Sequence, residues 1–380
     1  MTEATPRKRI LIISFSTIAS DARVLKQITR LGQDYEIDTL GYGPAPRGVA
    51  KHFAIEDRHA IWRYPRLAVM VRAFRWAYWH NPAIMAAQEL VRGGAWDLIL
   101  ANDVDAVGLA LSIDSMHGVH ADLHEYAPRQ KEDMLRWRFF VAPFVRWLCR
   151  GFVARADSVS TVGQGIADEY AARFGIVAQV VTNAAPYADL EPTAVEEPLR
   201  LVHSGAALRD RNIVALVDAV EQTSSDVSLA LYLTPNDPGF LGEIRARAAA
   251  SARVTLHDPV PYEDLSVTLN GYDVGLHLLP PTNFNNRWAL PNKFFDYVQA
   301  RLGVVIGPSP EMARTLEAHA FGAVADGFST EDLTRVLDGL SIADVSEWKA
   351  AADAAASELS SQEQVEIWAA SVSQLMRGPG

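Results

Sequence analysis

The sequence predicts an α/β protein built from two doubly wound domains, each with a parallel β-sheet between layers of helices. Short apolar runs alternate with amphipathic segments along most of the 380 residues, and this alternation is typical of parallel sheets buried on both faces. A stretch rich in proline and acidic residues, 183–198, interrupts the alternation, which restarts after it. The length also fits two domains of ~100–200 residues each.

The first half opens with a strand, a helix and a second strand. Residues 9–15 and residues 35–42 each form an apolar run. Between them, residues 21–31 have apolar side chains at helical spacing, and Asp21 is the candidate N-cap of this helix. This order is a crossover unit whose first turn faces the ligand side. Because that turn has no glycine-rich pattern, we do not expect it to hold a nucleotide.

Later strands follow in both halves of the chain. They are predicted at 96–101, 119–123, 158–162, 179–182, 199–203, 227–233, 254–256, 274–279 and 303–306. We predict an N-terminal Rossmann-like domain over 1–190, a C-terminal Rossmann-like domain over 191–355, and a C-terminal helix within 356–380 that packs back toward the first domain. Two such domains are expected to face each other across a cleft.

Composition argues against several classes of protein. The net charge of -11 disfavours a general nucleic-acid binder, and the single cysteine, Cys149, excludes an internal disulfide or a cysteine metal cluster. The start of the chain does not resemble a signal peptide, and no run approaches the ~18 apolar residues of a spanning helix. We therefore expect a cytoplasmic protein.

Residues 290–297, LPNKFFDY, predict a loop that turns into a helix with Pro291 at its first position. The free N–H groups of the first turn and the ammonium of Lys293 would together attract an anion such as a phosphate. Asp296 follows three residues after Lys293 and four after Asn292, on the same helix face, where its carboxylate could hold ribose hydroxyls. The alternative is a capped helix with a surface Lys–Asp pair.

A second cation is expected at the same site. The predicted turn at 204–207 follows a strand and contains Gly205, and Arg211 comes six residues later. Two cations and a helix N-terminus from one domain describe a diphosphate site better than any of these features alone.

Polar side chains also follow two strands of the first half. Asn102, Asp103 and Asp105 come after one strand, and His124 and Glu125 come after the next. Open α/β sheets place their ligands at such strand ends. Asp103 and Asp105 could alternatively hold a divalent ion, although Asp105 also fits a helix cap; His124 fits either a site residue or a structural hydrogen-bonder.

Two segments, 62–91 and 135–154, interleave arginines with aromatic residues. Such helices could lie on an anionic membrane or grip a lipid-linked substrate, which would bring the protein to the inner face of the cell membrane. The alternative is that the aromatic residues belong to the core and the arginines form a solvated face.

Several stretches, taken in their order and spacing, resemble one known family. They are SDARVLKQ, AND, DLHEY, TVGQGIADEYAARFG, VVTNAAP, the glycine at 205 with an arginine six residues on, and ALPNKFFDYVQARLGVVIG. The chain resembles the retaining GT-B glycosyltransferases, in particular the large bacterial glycosyltransferase family 4. The resemblance implies a nucleotide-sugar donor held mainly by the C-terminal domain and an acceptor held mainly by the N-terminal domain.

The resemblance also implies roles for single residues. Arg211 and Lys293 would neutralise the donor diphosphate, and His124 would lie beside the transferred sugar. The donor side would further include Gly205, Leu290, Pro291, Asn292 and Asp296, and the acceptor side would include Ser16, Arg23, Asn102, Asp103 and Glu125.

The chain departs from the family pattern at three positions. The family usually has two glutamates that flank seven residues, whereas this chain has Trp288 and Asp296 there. The arginine that usually follows the glycine is replaced by Ala206. A tryptophan cannot accept a hydrogen bond from a sugar, and the missing arginine leaves more of the phosphate charge to Arg211 and Lys293.

These features predict an enzyme that moves a sugar from a nucleotide-diphosphate donor to a hydroxyl of a glycan, lipid-linked or small-molecule acceptor. We expect retention of the anomeric configuration, no cofactor and no metal, and a role in the biosynthesis of a glycan or cell-surface polysaccharide. One alternative is a non-hydrolysing nucleotide-sugar epimerase that uses His124, Glu125 and Asp103 for proton abstraction. Another is a non-catalytic subunit that binds sugar nucleotides, which Trp288 favours.

Overall fold

The computed structural model describes residues 7–378, which fall into two compact units. Unit 1 contains the described residues up to Thr182, together with Asn283–Asn285 and the residues from Gln364 onward. Unit 2 contains Asn183–Thr282 and Asn286–Glu363.

Unit 1 is built on a seven-stranded parallel sheet with the strand order β3-β2-β1-β4-β5-β6-β7. The strands are β1 Arg9–Thr17, β2 Glu36–Tyr42, β3 Lys51–Ile55, β4 Leu98–Asn102, β5 Val119–Leu123, β6 Ser158–Thr161 and β7 Gln179–Val180. Consecutive residues of β1, from Ile10 to Ile13, are all fully buried. Because successive side chains of a strand point to opposite faces, helices must cover both faces of this sheet.

The helices of unit 1 lie between these strands. They are α1 Ala22–Leu31, α2 Arg66–Met70, α3 Phe74–Trp79, α4 Pro82–Leu90, α5 Val104–Ala110, α6 Ala142–Gly151 and α7 Gln164–Phe174, and a π-helical turn, Trp137–Val141, precedes α6. Asp21 caps α1 as predicted, because its carboxylate accepts the backbone N–H groups of Arg23 and Val24 at 3.2 and 3.3 Å.

Unit 2 is built on a six-stranded parallel sheet with the order β10-β9-β8-β11-β12-β13. Its strands are β8 Leu199–Ala206, β9 Val227–Thr234, β10 Val254–His257, β11 Val274–His277, β12 Gly303–Ile306 and β13 Gly322–Val324. Its helices are α8 Ile213–Gln222, α9 Pro238–Ala250, α10 Tyr262–Asn270, α11 Phe284–Arg287, α12 Asn292–Gln299, α13 Pro310–His319, α14 Thr330–Asp338 and α15 Ile342–Ala355. Residues 284 and 285 of α11 are assigned to unit 1. The two parallel sheets confirm the predicted fold class.

The last helix, α16 Ser361–Arg377, belongs to unit 1 from Gln364 onward. Its side chains reach two sites in that unit: Glu366 forms an ion pair with Arg30 of α1, and Trp368 is almost fully buried. Residues 183–190, by contrast, are tied to unit 2, where Gln299 accepts the backbone N–H of Ala188 at 3.0 Å. The chain therefore changes units after Thr182 rather than at residue 190.

Two local predictions were wrong. The predicted turn at 204–207 is largely strand, because β8 continues its pairing with β9 as far as Ala206 and Thr234. Pro291 is the N-cap of α12 rather than its first helical residue, since its φ of -77° and ψ of 155° are extended. Strands β3 and β13 were not predicted.

Candidate functional site

The candidate site in unit 2 is centred on two cations, Arg211 and Lys293. Arg211 ends a 3-10 turn that follows β8, and Lys293 lies in the first turn of α12. Burial, reinforced by the nearby Arg211 charge, lowers the pKa of Lys293 to about 7. Within residues 7–378, no carboxylate lies within 4.0 Å of the Lys293 ammonium. The charge of Arg211 is therefore near enough to oppose protonation of Lys293, while Arg211 itself lies 3.6 Å from the carboxylate of Asp210.

Gly205 allows the ammonium of Lys293 to lie against the backbone of β8. A Cβ atom added at residue 205 would stand 3.1 Å from Lys293 Cε and closer still to Nζ, inside any normal contact distance. The φ of Gly205 is +142°, a conformation that favours glycine. The backbone angle therefore favours glycine here, and a Cβ atom would also push the flexible end of the Lys293 side chain aside.

The first turn of α12 adds backbone N–H groups that no N-cap side chain pairs. Its N-cap, Pro291, supplies no side-chain hydrogen bond to the turn, so the first N–H groups keep the partial positive charge of a helix N-terminus. Asn292 is exposed beside Lys293, and Leu290 is buried in the core of unit 2. Lys293 thus adds its charge to a helix end that already favours anions.

Asp296 lies one turn further along α12, and its side chain is only 4% exposed. The hydroxyl of Tyr262 donates a hydrogen bond to Asp296 Oδ1 at 3.2 Å. Trp288, where the family pattern has a glutamate, is half-buried, and the guanidinium of Arg287 lies 5.6 Å from the centre of its ring. A ligand hydroxyl that reaches Asp296 would therefore share this carboxylate with Tyr262.

Two buried histidines lie close to the cations and were missed from the sequence. His203 in β8 and His277 at the end of β11 have their rings stacked at 6.2 Å. His203 Nδ1 donates to the Leu276 carbonyl at 2.8 Å, whereas His203 Nε2 and both ring nitrogens of His277 have no partner within the described chain. Burial and the Lys293 charge hold the pKa of both rings well below the usual histidine value. Both rings are therefore neutral at pH 7. The available signal was one histidine in each of the apolar runs 199–203 and 274–279.

Unit 1 contains a second polar cluster, centred on His124 after β5. The ring Nε2 donates to Asn102 Oδ1 at 3.1 Å, and Nδ1 lies 3.4 Å from Asp103 Oδ2. Burial alone would lower the pKa of His124, but the carboxylates of Asp103 and Asp122 outweigh it and raise the pKa above its usual value. The cluster therefore favours a positively charged imidazolium.

Asp103 is held in an uncommon backbone conformation at the end of β4. Its φ is +64° and its ψ is 162°, a combination that costs a non-glycine residue of order 1–3 kcal/mol. In this position Asp103 Oδ1 accepts the backbone N–H of His124 at 3.1 Å, and about half of the Asp103 side chain stays exposed. Asp103, rather than Asp105, is the N-cap residue of α5.

Asp122, which the sequence interpretation overlooked, anchors this cluster from the interior of β5. The guanidinium of Arg23 donates to both of its carboxylate oxygens at 2.7 Å, and Gln27 and Ser160 donate at 2.8 and 2.6 Å. Although burial opposes ionisation, Arg23 holds the pKa of Asp122 well below its usual range. A polar residue inside an apolar strand, VHADL, was the signal for this network.

The structure places Arg23 and Asn102, both expected on the acceptor side, in the buried interior. Arg23 is 7% exposed, donates to the Val181 carbonyl at 3.0 Å and lies 4.6 Å from the ring centre of Trp368. Asn102 exchanges hydrogen bonds of 3.0 Å with Gln27. These two side chains position Asp122 and His124 instead of presenting their polar groups to solvent.

Ser16 and Glu125 complete the set of expected acceptor residues. Ser16 donates to the capping carboxylate of Asp21 at 2.7 Å. Burial, reinforced by the charge of Asp103, raises the pKa of Glu125 to about 7, and Asn285 Nδ2 donates to it at 3.3 Å. Glu125 can therefore gain or lose a proton near neutral pH.

The alternative of a divalent ion bound by Asp103 and Asp105 stays a prediction. Asp105 accepts a hydrogen bond from the Tyr64 hydroxyl, and burial raises the pKa of Asp105 to about 6. Within residues 7–378, no group of three or more histidines, cysteines, aspartates or glutamates is arranged to hold a metal ion.

Comparison with known proteins assigns the fold to a structural class. The sequence matches no protein-family model and no curated protein sequence. Solved structures do match over almost the whole chain. An α,α-trehalose 6-phosphate synthase from Burkholderia multivorans has a TM-score of 0.68 at 12% identity, with 98% of each chain covered. The chain has the GT-B fold.

Two further structures show the same GT-B fold. Sucrose-phosphate synthase from Thermosynechococcus elongatus has a TM-score of 0.67 at 12% identity, with 98% of this chain and all of that chain covered. Anabaena HepE in complex with UDP-glucose has a TM-score of 0.68 at 13% identity, with 97% of this chain and all of that chain covered. The likeness confirms the GT-B part of the predicted resemblance, and membership of glycosyltransferase family 4 stays a prediction.

Proposed function

We propose that the protein is a glycosyltransferase that binds a nucleoside-diphosphate sugar in unit 2 and moves the sugar to a hydroxyl acceptor, without a metal. The observation that carries this proposal is that Arg211 lies near enough to Lys293, in the first turn of α12, to lower its pKa, with no carboxylate within 4.0 Å of the Lys293 ammonium in the described chain. The GT-B fold supports it, since trehalose 6-phosphate synthase and UDP-glucose-bound HepE have the same fold.

The cations have a direct role in the proposed reaction. Breaking the bond between the sugar C1 and the diphosphate leaves negative charge on the departing phosphate. Groups that bind this charge more strongly in the transition state than in the ground state accelerate the step. Arg211, Lys293 and the N–H groups of α12 supply positive charge in a partly buried place, where electrostatic interactions are stronger than in water. In this proposal no divalent cation is needed.

The donor contacts of the proposal extend around the cations. Gly205, Leu290, Pro291 and Asn292 would line the diphosphate, and Asp296 would take the ribose hydroxyls together with Tyr262, whose hydroxyl already donates to it. The remaining proposed contacts lie in unit 1. His124, held by Asp103 and Asn102, would donate to the transferred sugar, and Ser16, Asp103 and Glu125 would serve the acceptor.

We test donor binding with UDP and GDP as probes in a thermal-shift assay. A nucleotide present at 100 times its dissociation constant stabilises the folded protein by ~2.7 kcal/mol. Arg211→Met and Lys293→Met should each weaken nucleotide binding by roughly 10- to 150-fold, because each removes a charge-assisted interaction of ~1.5–3 kcal/mol. The control is Arg209→Met, since Arg209 lies on the same 3-10 turn but pairs with Glu243 on the surface.

Two results would contradict donor binding at this site. The first is that neither nucleotide stabilises the wild-type protein. The second is that Arg211→Met and Lys293→Met bind nucleotide as tightly as Arg209→Met does.

Turnover separates the proposed transferase from the alternatives. Incubation with UDP-sugars and no acceptor should give at most slow hydrolysis, whereas an epimerase would convert the sugar itself. A non-catalytic binding subunit would bind nucleotide and transfer nothing to any of a panel of acceptors. We further propose that the anomeric configuration is retained, and NMR of a product with an inverted linkage would refute that part.

A further inference from the structure

Large apolar side chains are exposed on one part of unit 1. Leu67 and Val71, one helical turn apart on α2 and at its C-terminal end, are 77% and 74% exposed, and Phe139 of the π-helical turn is 68% exposed. Six further apolar residues of the same two segments each have more than a third of their surface exposed: Trp62, Met70, Trp76, Met134, Leu135 and Phe140. A contiguous exposed apolar surface of this kind marks a site of interaction with a protein or a membrane.

The two segments that carry these side chains are packed on each other. Helix α2 lies against the π-helical turn, and Phe74 of α3 packs its ring 5.6 Å from that of Phe144 in α6. The inner aromatic side chains therefore belong to the core, as one alternative predicted, while the outer apolar side chains do not. We call the outer side of residues 62–76 and 134–150 the arginine–apolar surface.

The charge of this surface opposes that of the whole chain. Residues 62–91 contain four arginines and one acidic residue, Glu89, and residues 134–156 contain five arginines and no acidic residue, although the net charge of the protein is -11. All these arginines are exposed, and within residues 7–378 none has a carboxylate within 4.0 Å. The positive charge is therefore not neutralised by the protein itself.

A cavity of about 300 Å³ lies next to the exposed apolar residues. Its lining includes Arg138 and Arg146, with Phe139 at its side, and also Arg129, which forms an ion pair with the lining residue Glu132. It also includes Trp137, whose buried indole N–H has no hydrogen-bond partner in the described part of the chain. Arginine guanidinium groups and an N–H donor are the groups that bind a phosphate.

We infer that the arginine–apolar surface docks on an anionic phospholipid bilayer. The exposed leucine, valine and phenylalanine side chains enter the boundary between head groups and acyl chains, while the arginines bind lipid phosphates. The cavity beside Phe139 takes one phosphate head group. This combination favours a lipid surface over a protein partner, because the same two stretches carry exposed apolar side chains and nine exposed arginines, none of which has a carboxylate within 4.0 Å in the described part of the chain. The inference does not depend on the donor chemistry of unit 2.

Vesicle co-sedimentation of the full chain tests the inference. We expect the protein to bind vesicles made from equal parts of phosphatidylcholine and phosphatidylglycerol, and to bind vesicles of phosphatidylcholine alone at least tenfold more weakly. Binding should weaken with added salt, because exposed charges are screened. The double variant Leu67→Ser, Val71→Ser and the double variant Arg66→Gln, Arg138→Gln should each lose about tenfold or more in affinity.

Matched controls come from exposed positions elsewhere. Val177→Ser removes a side chain that is 85% exposed in unit 1, and Arg245→Gln removes an exposed arginine of unit 2; both should bind vesicles as the wild type does. Lys293→Met should also bind vesicles normally, which separates this inference from nucleotide binding. Thermal unfolding of every variant checks that it is folded.

Three results would overturn the inference. One is that the protein does not bind anionic vesicles, or that it binds neutral vesicles equally well. Another is that the control variants lose as much binding as the surface variants do. The third is that Leu67→Ser, Val71→Ser instead abolishes a dimer seen by light scattering, which would assign this surface to a second copy of the chain.

Discussion

The substitution Gly205→Ala tests the geometry of the cation site without removing a charge. The new methyl group would occupy the place of the Lys293 ammonium, so the flexible lysine side chain must move away from β8. Displacement of the ammonium should cost about the 1.5–3 kcal/mol of one charge-assisted interaction, or roughly 10- to 150-fold in UDP affinity. The φ of +142° adds a loss of folding stability of order 1–3 kcal/mol.

The assay is isothermal titration calorimetry with UDP on a sample shown to be folded by circular dichroism. The matched control is Gly175→Ala, since Gly175 also has a positive φ, +68°, at the end of α7, but nothing lies within 4 Å of its added Cβ. This control should lose stability but keep UDP affinity. If folded Gly205→Ala binds UDP within twofold of the wild type, the placement of Lys293 against residue 205 does not matter for binding and our account of the site is wrong.

Two further predictions follow from the ionised groups. Burial and the Arg211 charge lower the pKa of Lys293 to about 7 in the free protein. Because a bound diphosphate needs the ammonium form of Lys293, UDP affinity should be highest below this pH and should fall as the pH rises. Calorimetry should show a loss of UDP affinity of about tenfold from pH 7 to pH 8.5, and an affinity that does not change with pH would contradict this account. Arg23→Met should destabilise the protein by ~3–5 kcal/mol in urea unfolding, because it leaves Asp122 as an uncompensated buried charge. The control is Arg30→Met, which breaks more exposed ion pairs of the same helix and should cost ~1 kcal/mol or less. Equal losses of stability in the two variants would show that burial of the Arg23–Asp122 ion pair is unimportant.

Much of the site architecture follows from local sequence. An apolar run followed by a helical pattern predicts a parallel strand, and the carboxyl end of that strand lies on the ligand side of the sheet. This rule predicted that Asn102, Asp103 and His124 lie at the ends of the strands that became β4 and β5. The helix at Asn292 was predicted within one residue for the same reason. Such patterns can be read from the sequence because hydrophobic periodicity and turn residues determine the secondary structure of residues that are close in sequence.

The contacts of single polar side chains were not predictable in this way. Asp122 looked like part of an apolar strand, yet it binds Arg23 from a helix far away in sequence. The histidines at 203 and 277 lie in strands that neighbour each other only in the folded sheet. Arg23 is buried inside the protein, although the family resemblance had implied a place for it on the acceptor side.

The sequence alone determined the alternation of strands and helices, the presence of two doubly wound units and the two arginine-rich aromatic segments, because these depend on periodicity and composition. Only the tertiary structure decided which charges are neutralised. Arg23 lies against Asp122, whereas Lys293 lies beside Arg211 with no carboxylate within 4.0 Å in the described chain. Ion pairing depends on distances of a few ångströms between residues far apart in the chain, and packing alone sets those distances.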